Sequence, residues 1–182
     1  MVKTMMADTK PLNLRPAVAS DLDGVNRVVE TAIDTWRLPA RVKRLSKPVY
    51  RYSELDLDVL DLVVAEVQDG GILGVAAWEQ AEPGDAPAGH SALLLHGIYV
   101  APDQHRTGVG AQLFEVAEKA AASRGLEGVL VKAQPDAQKF FVALGLQQIP
   151  VEDFRRDYPH RFWKPVNGNV DAVRGESGRS NR

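Results

Sequence analysis

The sequence contains no cysteine, which rules out a disulfide framework, a thiolate metal site and a cysteine nucleophile. Any acyl transfer must then be direct or run through another residue. Histidine is scarce. His90, His96, His105 and His160 are its four positions; they are too dispersed for metal-ligand spacing, and no metal is expected. No apolar run is long enough to span a membrane, and Met1 to Lys10 lacks the apolar centre of a signal peptide, so a cytoplasmic protein is expected. A dominant charge is missing too. The 22 basic and 24 acidic residues leave a net charge of −2, which argues against nucleic acid or an anionic membrane as the main partner.

What is present is one domain's worth of core: 182 residues, 45% of them hydrophobic. Residues 12–166 carry the patterned segments. The ends, 1–11 and 167–182, have little to bury and are expected to be disordered, the second rich in Gly, Ser, Asn and Arg. Leu12 to Arg15 reads as a short strand closed by Pro16. Ser20 and Asp23 resemble a capping box, after which Leu22, Val25, Val29, Ile33 and Trp36 recur at helical spacing. Pro39 suits the first turn of a second helix, with Pro48 just past its end. From Arg37 to Arg51 every charge is basic, and Glu54, Asp56, Asp58 and Asp61 follow. This contrast reads as a solvated helix face beside an acidic loop, with a substrate-recognition patch as the alternative.

Strands are expected over Val59 to Val67 and Ile72 to Gln80, joined by the hairpin signal Asp69-Gly70-Gly71. Another follows at Leu93 to Val100, then a helix from Gly108 to about Arg124, a strand from Gly128 to Lys132 and a helix opened by Pro135. Arg161 to Pro165 closes the sheet. This order indicates an α/β (α+β) fold: a single mixed sheet with helices on both faces.

The segment His105-Arg106-Thr107-Gly108-Val109-Gly110 follows a buried strand and opens a helix. Free N–H groups and the positive end of the helix dipole converge there, glycines admit phosphate oxygens, and Arg106 can add a charged contact. Taken alone, the two glycines fit tight helix–strand packing equally well. A dinucleotide-binding Rossmann turn is excluded, because its third glycine would fall at Leu113.

Three motifs in sequence raise the phosphate reading above packing. Val100 and Pro102 end a strand as V-x-P, and Gly108 and Gly110 fit Q/R-x-x-G-x-G/A. Ala137, Phe140 and Gly145 fit N-x-x-A-x-x-F-Y-x-x-x-G-F. In order and spacing the chain resembles the GCN5-related N-acetyltransferase (GNAT) family from Leu12 to about Val166. The resemblance implies the GNAT fold, mostly antiparallel and splayed at the cofactor site. It also implies acetyl-CoA as cosubstrate and transfer of acetyl to an amine by direct attack in a ternary complex. Ile98, Val100, His105, Arg106, Thr107, Gly108, Val109, Gly110, Gln134 and Phe141 are the implied cofactor-binding positions. The backbone of Ile98 and Val100 would hold the pantetheine, and an N–H near Ile98 would polarise the thioester carbonyl.

Three positions depart from the pattern: His105 stands for Q/R, Gln134 for Asn, and Phe141 for the tyrosine that often protonates the leaving thiolate. Phenylalanine donates no proton. A non-catalytic acyl-CoA-binding sensor or regulatory module is therefore the alternative to an enzyme. An amine acceptor must also lose a proton before attack. His96 lies on the cofactor-binding strand where many members carry a glutamate, and a structural imidazole inside the sheet is its alternative role. Glu79 is the alternative base, and Tyr158 and His160 could line the acceptor side or form a plain turn. The acceptor could be a small amine, an amino acid, a lysine or a peptide N-terminus. A homodimer is left open.

Overall fold

The computed structural model describes residues 12–151, 155 and 157–166; the ends expected to be disordered lie outside them. Seven strands form one sheet: β1 (Asn13–Pro16), β2 (Asp61–Glu66), β3 (Ile72–Gln80), β4 (Ala92–Val100), β5 (Gly128–Lys132), β6 (Gln147–Gln148) and β7 (Arg161–Pro165). Their spatial order is β1-β2-β3-β4-β5-β7-β6. Only β4 and β5 run parallel; every other pair is antiparallel. The helices are α1 (Leu22–Asp34), α2 (Ala40–Tyr50), α3 (Glu54–Val59), α4 (Val109–Ser123) and α5 (Gln138–Ala143).

Helical periodicity explains how the two layers form. Val25, Val28, Val29, Ala32 and Ile33 give α1 one apolar face, which buries Val64, Val75 and Tyr99 on one side of the sheet. Val109, Leu113, Phe114, Ala117 and Ala121 of α4 cover Val63, Ala76, Trp78, Leu93 and Leu95 on the other side. The sheet is thus mixed with helices on both faces, as its sequence order indicates.

Local boundaries differ from the expectations. The start of α1 is set by Asp21 rather than by Ser20 and Asp23. A 3-10 turn over Ala19–Asp21 precedes the helix, and Asp21 Oδ2 accepts the Val18 N–H at 2.8 Å. Arg15 holds the same carboxylate at 2.7 Å. Pro48 lies inside α2, which runs on to Tyr50; there the Tyr50 ring meets Trp36 edge-on at 5.3 Å. The acidic stretch is the helix α3 and not a loop. Its cap forms where the Asp56 carboxylate accepts the Ser53 N–H at 2.7 Å, and β2 begins only at Asp61. The last strand, β7, sits between β5 and the two-residue edge strand β6 instead of closing the sheet.

Candidate active site

The parallel pair β4–β5 is in register only from Ala92↔Gly128 to Leu95↔Val131. Beyond Leu95, β4 continues to Val100 without its neighbour, while β5 ends at Lys132 and turns away through Gln134. Two parallel strands that part in this way leave a V-shaped gap. A cleft of about 410 Å³ fills it, lined by His96–Val100 on one arm and Val131–Gln134 on the other. Gly110, Phe140 and Phe141 line it on the α4 side; Ala32, Thr35, Trp36 and Tyr50 line it on the α1 side.

The parting begins at a bulge. On β3, Ala77 and Trp78 are adjacent, but their β4 partners are Gly97 and Leu95, so His96 is the extra residue. The bulge inverts side-chain alternation along β4. Leu93 and Leu95 face α4, and beyond the bulge Ile98 and Val100 face it too, while Tyr99 packs against α1. Burial raises the Tyr99 hydroxyl's pKa well above its ordinary range, so this tyrosine stays neutral.

The same register orients the backbone. Ala101 N–H donates to Leu73 O at 2.8 Å. Residues 97, 99 and 101 are therefore the ones exchanging bonds with β3, and Ile98 and Val100 turn their polar groups toward the gap. One of those groups is already engaged. His105 Nε2 lies 3.0 Å from Val100 O and donates to it, latching the loop to the strand.

The loop ends in two left-handed residues. Arg106 has φ 65°, the only positive φ outside glycine among the described residues, and Gly108 has φ 94° at the cap of α4. The first-turn N–H groups of α4 point out of the helix beyond this cap. Gly110 serves packing: a Cβ there would lie 3.0 Å from the Phe140 ring, so its absence lets α4 start close against Phe140. Val109 is buried in the core, so only its backbone is available. The Thr107 hydroxyl is spent on Gln104 O at 2.7 Å. The arrangement fits a diphosphate held by backbone groups.

On the other arm, Gln134 Nε2 donates to the Tyr50 hydroxyl at 2.7 Å, and the Arg37 N–H donates to Asp136 Oδ2 at 2.7 Å. These two bonds tie the α1–α2 segment across the gap. They also occupy the Gln134 amide nitrogen, leaving its carbonyl oxygen for a ligand. Phe141 is 4% exposed, wedged between Phe114 and Phe140 at centroid distances of 6.5 and 5.1 Å, with an edge on the cleft.

The two candidate bases come together. His96 Nε2 lies 2.7 Å from Glu79 Oε1; His96 lines the cleft, and Glu79 stands behind it. Tyr158 is elsewhere. Its hydroxyl donates to Ala133 O at 3.2 Å and borders a separate cavity of about 210 Å³ with Lys132 and Arg161. His160 Nδ1 contacts Gln138 at 3.2 Å. Thr35, Trp36, Tyr50 and Asp136 also line the cleft, although periodicity marks only Trp36 among them, and that as part of a helix. Their one available signal is the pair of aromatics closing consecutive helices. Among the described residues no group of three or more potential metal ligands occurs, and no helix is long and apolar enough to cross a membrane.

Residues 46–159 match the family model described as acetyltransferase (GNAT) domain. No curated protein matches. Among solved structures, the PaiA N-acetyltransferase of Thermoplasma acidophilum in complex with coenzyme A superposes with TM-score 0.69 at 12% identity, over 85% of this chain and 99% of that one. A GCN5-related N-acetyltransferase from Rhodopseudomonas palustris gives 0.64 at 20% identity, over 88% and 99%. A GNAT acetyltransferase from Brucella melitensis in complex with acetyl-CoA gives 0.58 at 18% identity, over 86% and 88%. At these identities the structural likeness speaks to the fold alone.

Proposed function

The chain belongs to the GNAT acetyltransferase family and is an acetyl-CoA-dependent N-acetyltransferase; from that premise we propose how its own residues divide the work. The observation that carries the proposal is the splay itself, with a glycine-cradled helix start at one end and the His96–Glu79 pair on its wall.

The N–H groups opening α4 at Gly108–Gly110 hold the diphosphate, with Arg106 as a cationic partner. The cleft-facing backbone of Ile98 and Val100 pairs with the amide-bearing arm, much as a further strand would. Bound acetyl-CoA supplies an activated thioester, and the Ile98 N–H is placed to steady charge on its carbonyl oxygen. The coenzyme A bound to the Thermoplasma protein and the acetyl-CoA bound to the Brucella protein support this use of the shared fold.

The amine enters from the α1–α2 side, past Thr35, Trp36 and Tyr50. Glu79 accepts a hydrogen bond from the His96 Nε2–H, which leaves the Nδ1 lone pair as the base that takes a proton from the attacking amine. Phe141 supplies shape only, and the thiolate gains its proton from water. The protein acts in the cytoplasm, where acetyl-CoA is available. Steady-state thiol release from acetyl-CoA across a panel of small amines, amino acids and peptides tests the reading. Amine-dependent turnover is expected; tight acetyl-CoA binding without turnover on any amine would make the cleft a binding module.

A further inference from the structure

Helix α2 is built inside out. The side turned to its own domain carries Lys43, Ser46, Lys47 and Tyr50, all half-buried. Lys43 donates to Asp34 O at 2.7 Å, and Lys47 pairs with the Asp34 carboxylate at 2.8 Å. The apolar side chains Val42, Leu45 and Val49 point outward, 41%, 61% and 78% exposed. A surface helix of a closed monomer turns its apolar stripe inward. Here no residue of α2 or α3 is buried.

Within α2, Val42, Leu45 and Val49 follow one another at intervals of three and four, the spacing of a seam between packed helices, and Leu38 is exposed just before the helix starts. Leu55 and Val59 of α3, the next helix in the chain, are exposed as well, at 77% and 69%. Six of the eight large exposed hydrophobic residues in the described structure thus fall between Leu38 and Val59. Scattered exposure needs no partner, but a concentration of this kind does.

We propose that this face is a two-fold interface between two copies of the chain. Charge is what selects the occupant. Lys43, Lys47 and Arg51 are used internally against Asp34 and Glu30, while Asp56 binds Ser53 and Asp61 binds Arg124. Arg41 and Arg44 on α2, and Glu54 and Asp58 on α3, have no side-chain partner among the described residues.

A two-fold axis across the seam sets the α2 helices antiparallel, the same patch meeting itself in reverse. The basic start of one α2 then faces the acidic α3 of its partner, on both sides of the axis. An anionic lipid surface would attract Arg41 and Arg44 but repel Glu54 and Asp58. Tyr50 and Trp36 lie on the underside of the same segment and wall the cleft, so the interface backs the acceptor side of the site.

Sedimentation velocity of the full chain at micromolar concentration should give twice the chain mass. Leu45→Glu should weaken association at least about thirtyfold, the scale of an interface anchor. Its circular dichroism and its acetyl-CoA thermal shift should stay as in the wild type. Arg41→Glu with Arg44→Glu should weaken the dimer, and adding Glu54→Arg with Asp58→Arg to the same chain should restore it. A wild-type monomer overturns the proposal; if that monomer sediments with phosphatidylcholine–phosphatidylserine vesicles, the face is a membrane surface instead. A dimer unaffected by Leu45→Glu places the interface elsewhere, and failure of the charge swap to restore association overturns the antiparallel pairing.

Discussion

Between Glu79 and His96 the separation is 2.7 Å, and that contact decides which imidazole nitrogen is left for chemistry. His96→Ala should lower kcat by about 10²-fold or more, the usual scale for a lost general base, with little change in acetyl-CoA affinity. Stopped-time assays across pH check this; a pH–rate profile unchanged by the substitution would remove His96 from the mechanism. Phe141 gives the second prediction at this scale. A CoA thiol, with a pKa near about 8.5, leaves tolerably well without an acid. Phe141→Tyr should therefore keep turnover within about tenfold, roughly 1.4 kcal/mol of barrier. A thousandfold gain would mean that the natural chain had given up catalysis. Both candidate bases were legible as residue types on adjoining strands. Their contact was not, because it depends on an extra residue in β4 that alternation cannot reveal.

At the scale of elements, the entry to α1 is a charged junction. The Arg15 guanidinium, chiefly by its hydrogen bond, holds the Asp21 carboxyl below the usual carboxylate range. A carboxyl depressed in the folded state stabilises the fold above its unfolded value of about 4, and that share is lost as pH falls through the lower folded value. Asp21→Asn should thus lower the urea midpoint at neutral pH, and its further decline in acid should be shallower than that of the wild type. The β5–β7 pair gives a second test. A Cβ at Gly128 would lie 2.4 Å from the Trp163 ring and 2.6 Å from Lys164 O. Backbone on the paired strand yields little, so Gly128→Ala should cost about 1–3 kcal/mol, read as a melting temperature several degrees lower. The long helices α1 and α4 were readable from periodicity, and β4 from an apolar run long enough for a buried strand. The six residues of α3 and the two of β6 are too short to show any period, and Pro48 misled because tertiary anchoring of Tyr50 outweighs a proline near a helix end.

The whole molecule reports ligand binding as stability. Acetyl-CoA at a hundredfold excess over its Kd should stabilise the protein by about 2.7 kcal/mol, a rise of roughly 5–10 °C in Tm for a domain of this size. Gly108→Glu should abolish that rise, because it sets bulk and negative charge at the helix start; calorimetry showing undiminished binding would move the diphosphate elsewhere. The overall architecture was legible because three motifs occur in a fixed order along the chain, each on its own strand, loop or helix. The bridge from Tyr50 to Gln134 was hidden, since it joins segments 84 positions apart. The extra residue at His96 has a consequence for how such a gene can change. A codon substitution at that position alters the group on the cleft wall and leaves the rest of β4 as it was. A codon deletion removes the one residue that β3 leaves unpaired, so that Leu95 and Gly97 follow one another opposite Trp78 and Ala77, Tyr99 keeps its side toward α1, and the bulge is lost together with the imidazole on the cleft wall. Substitution at this one position thus changes the base and keeps the bulge, whereas deletion removes both at once and leaves the rest of the ladder in register.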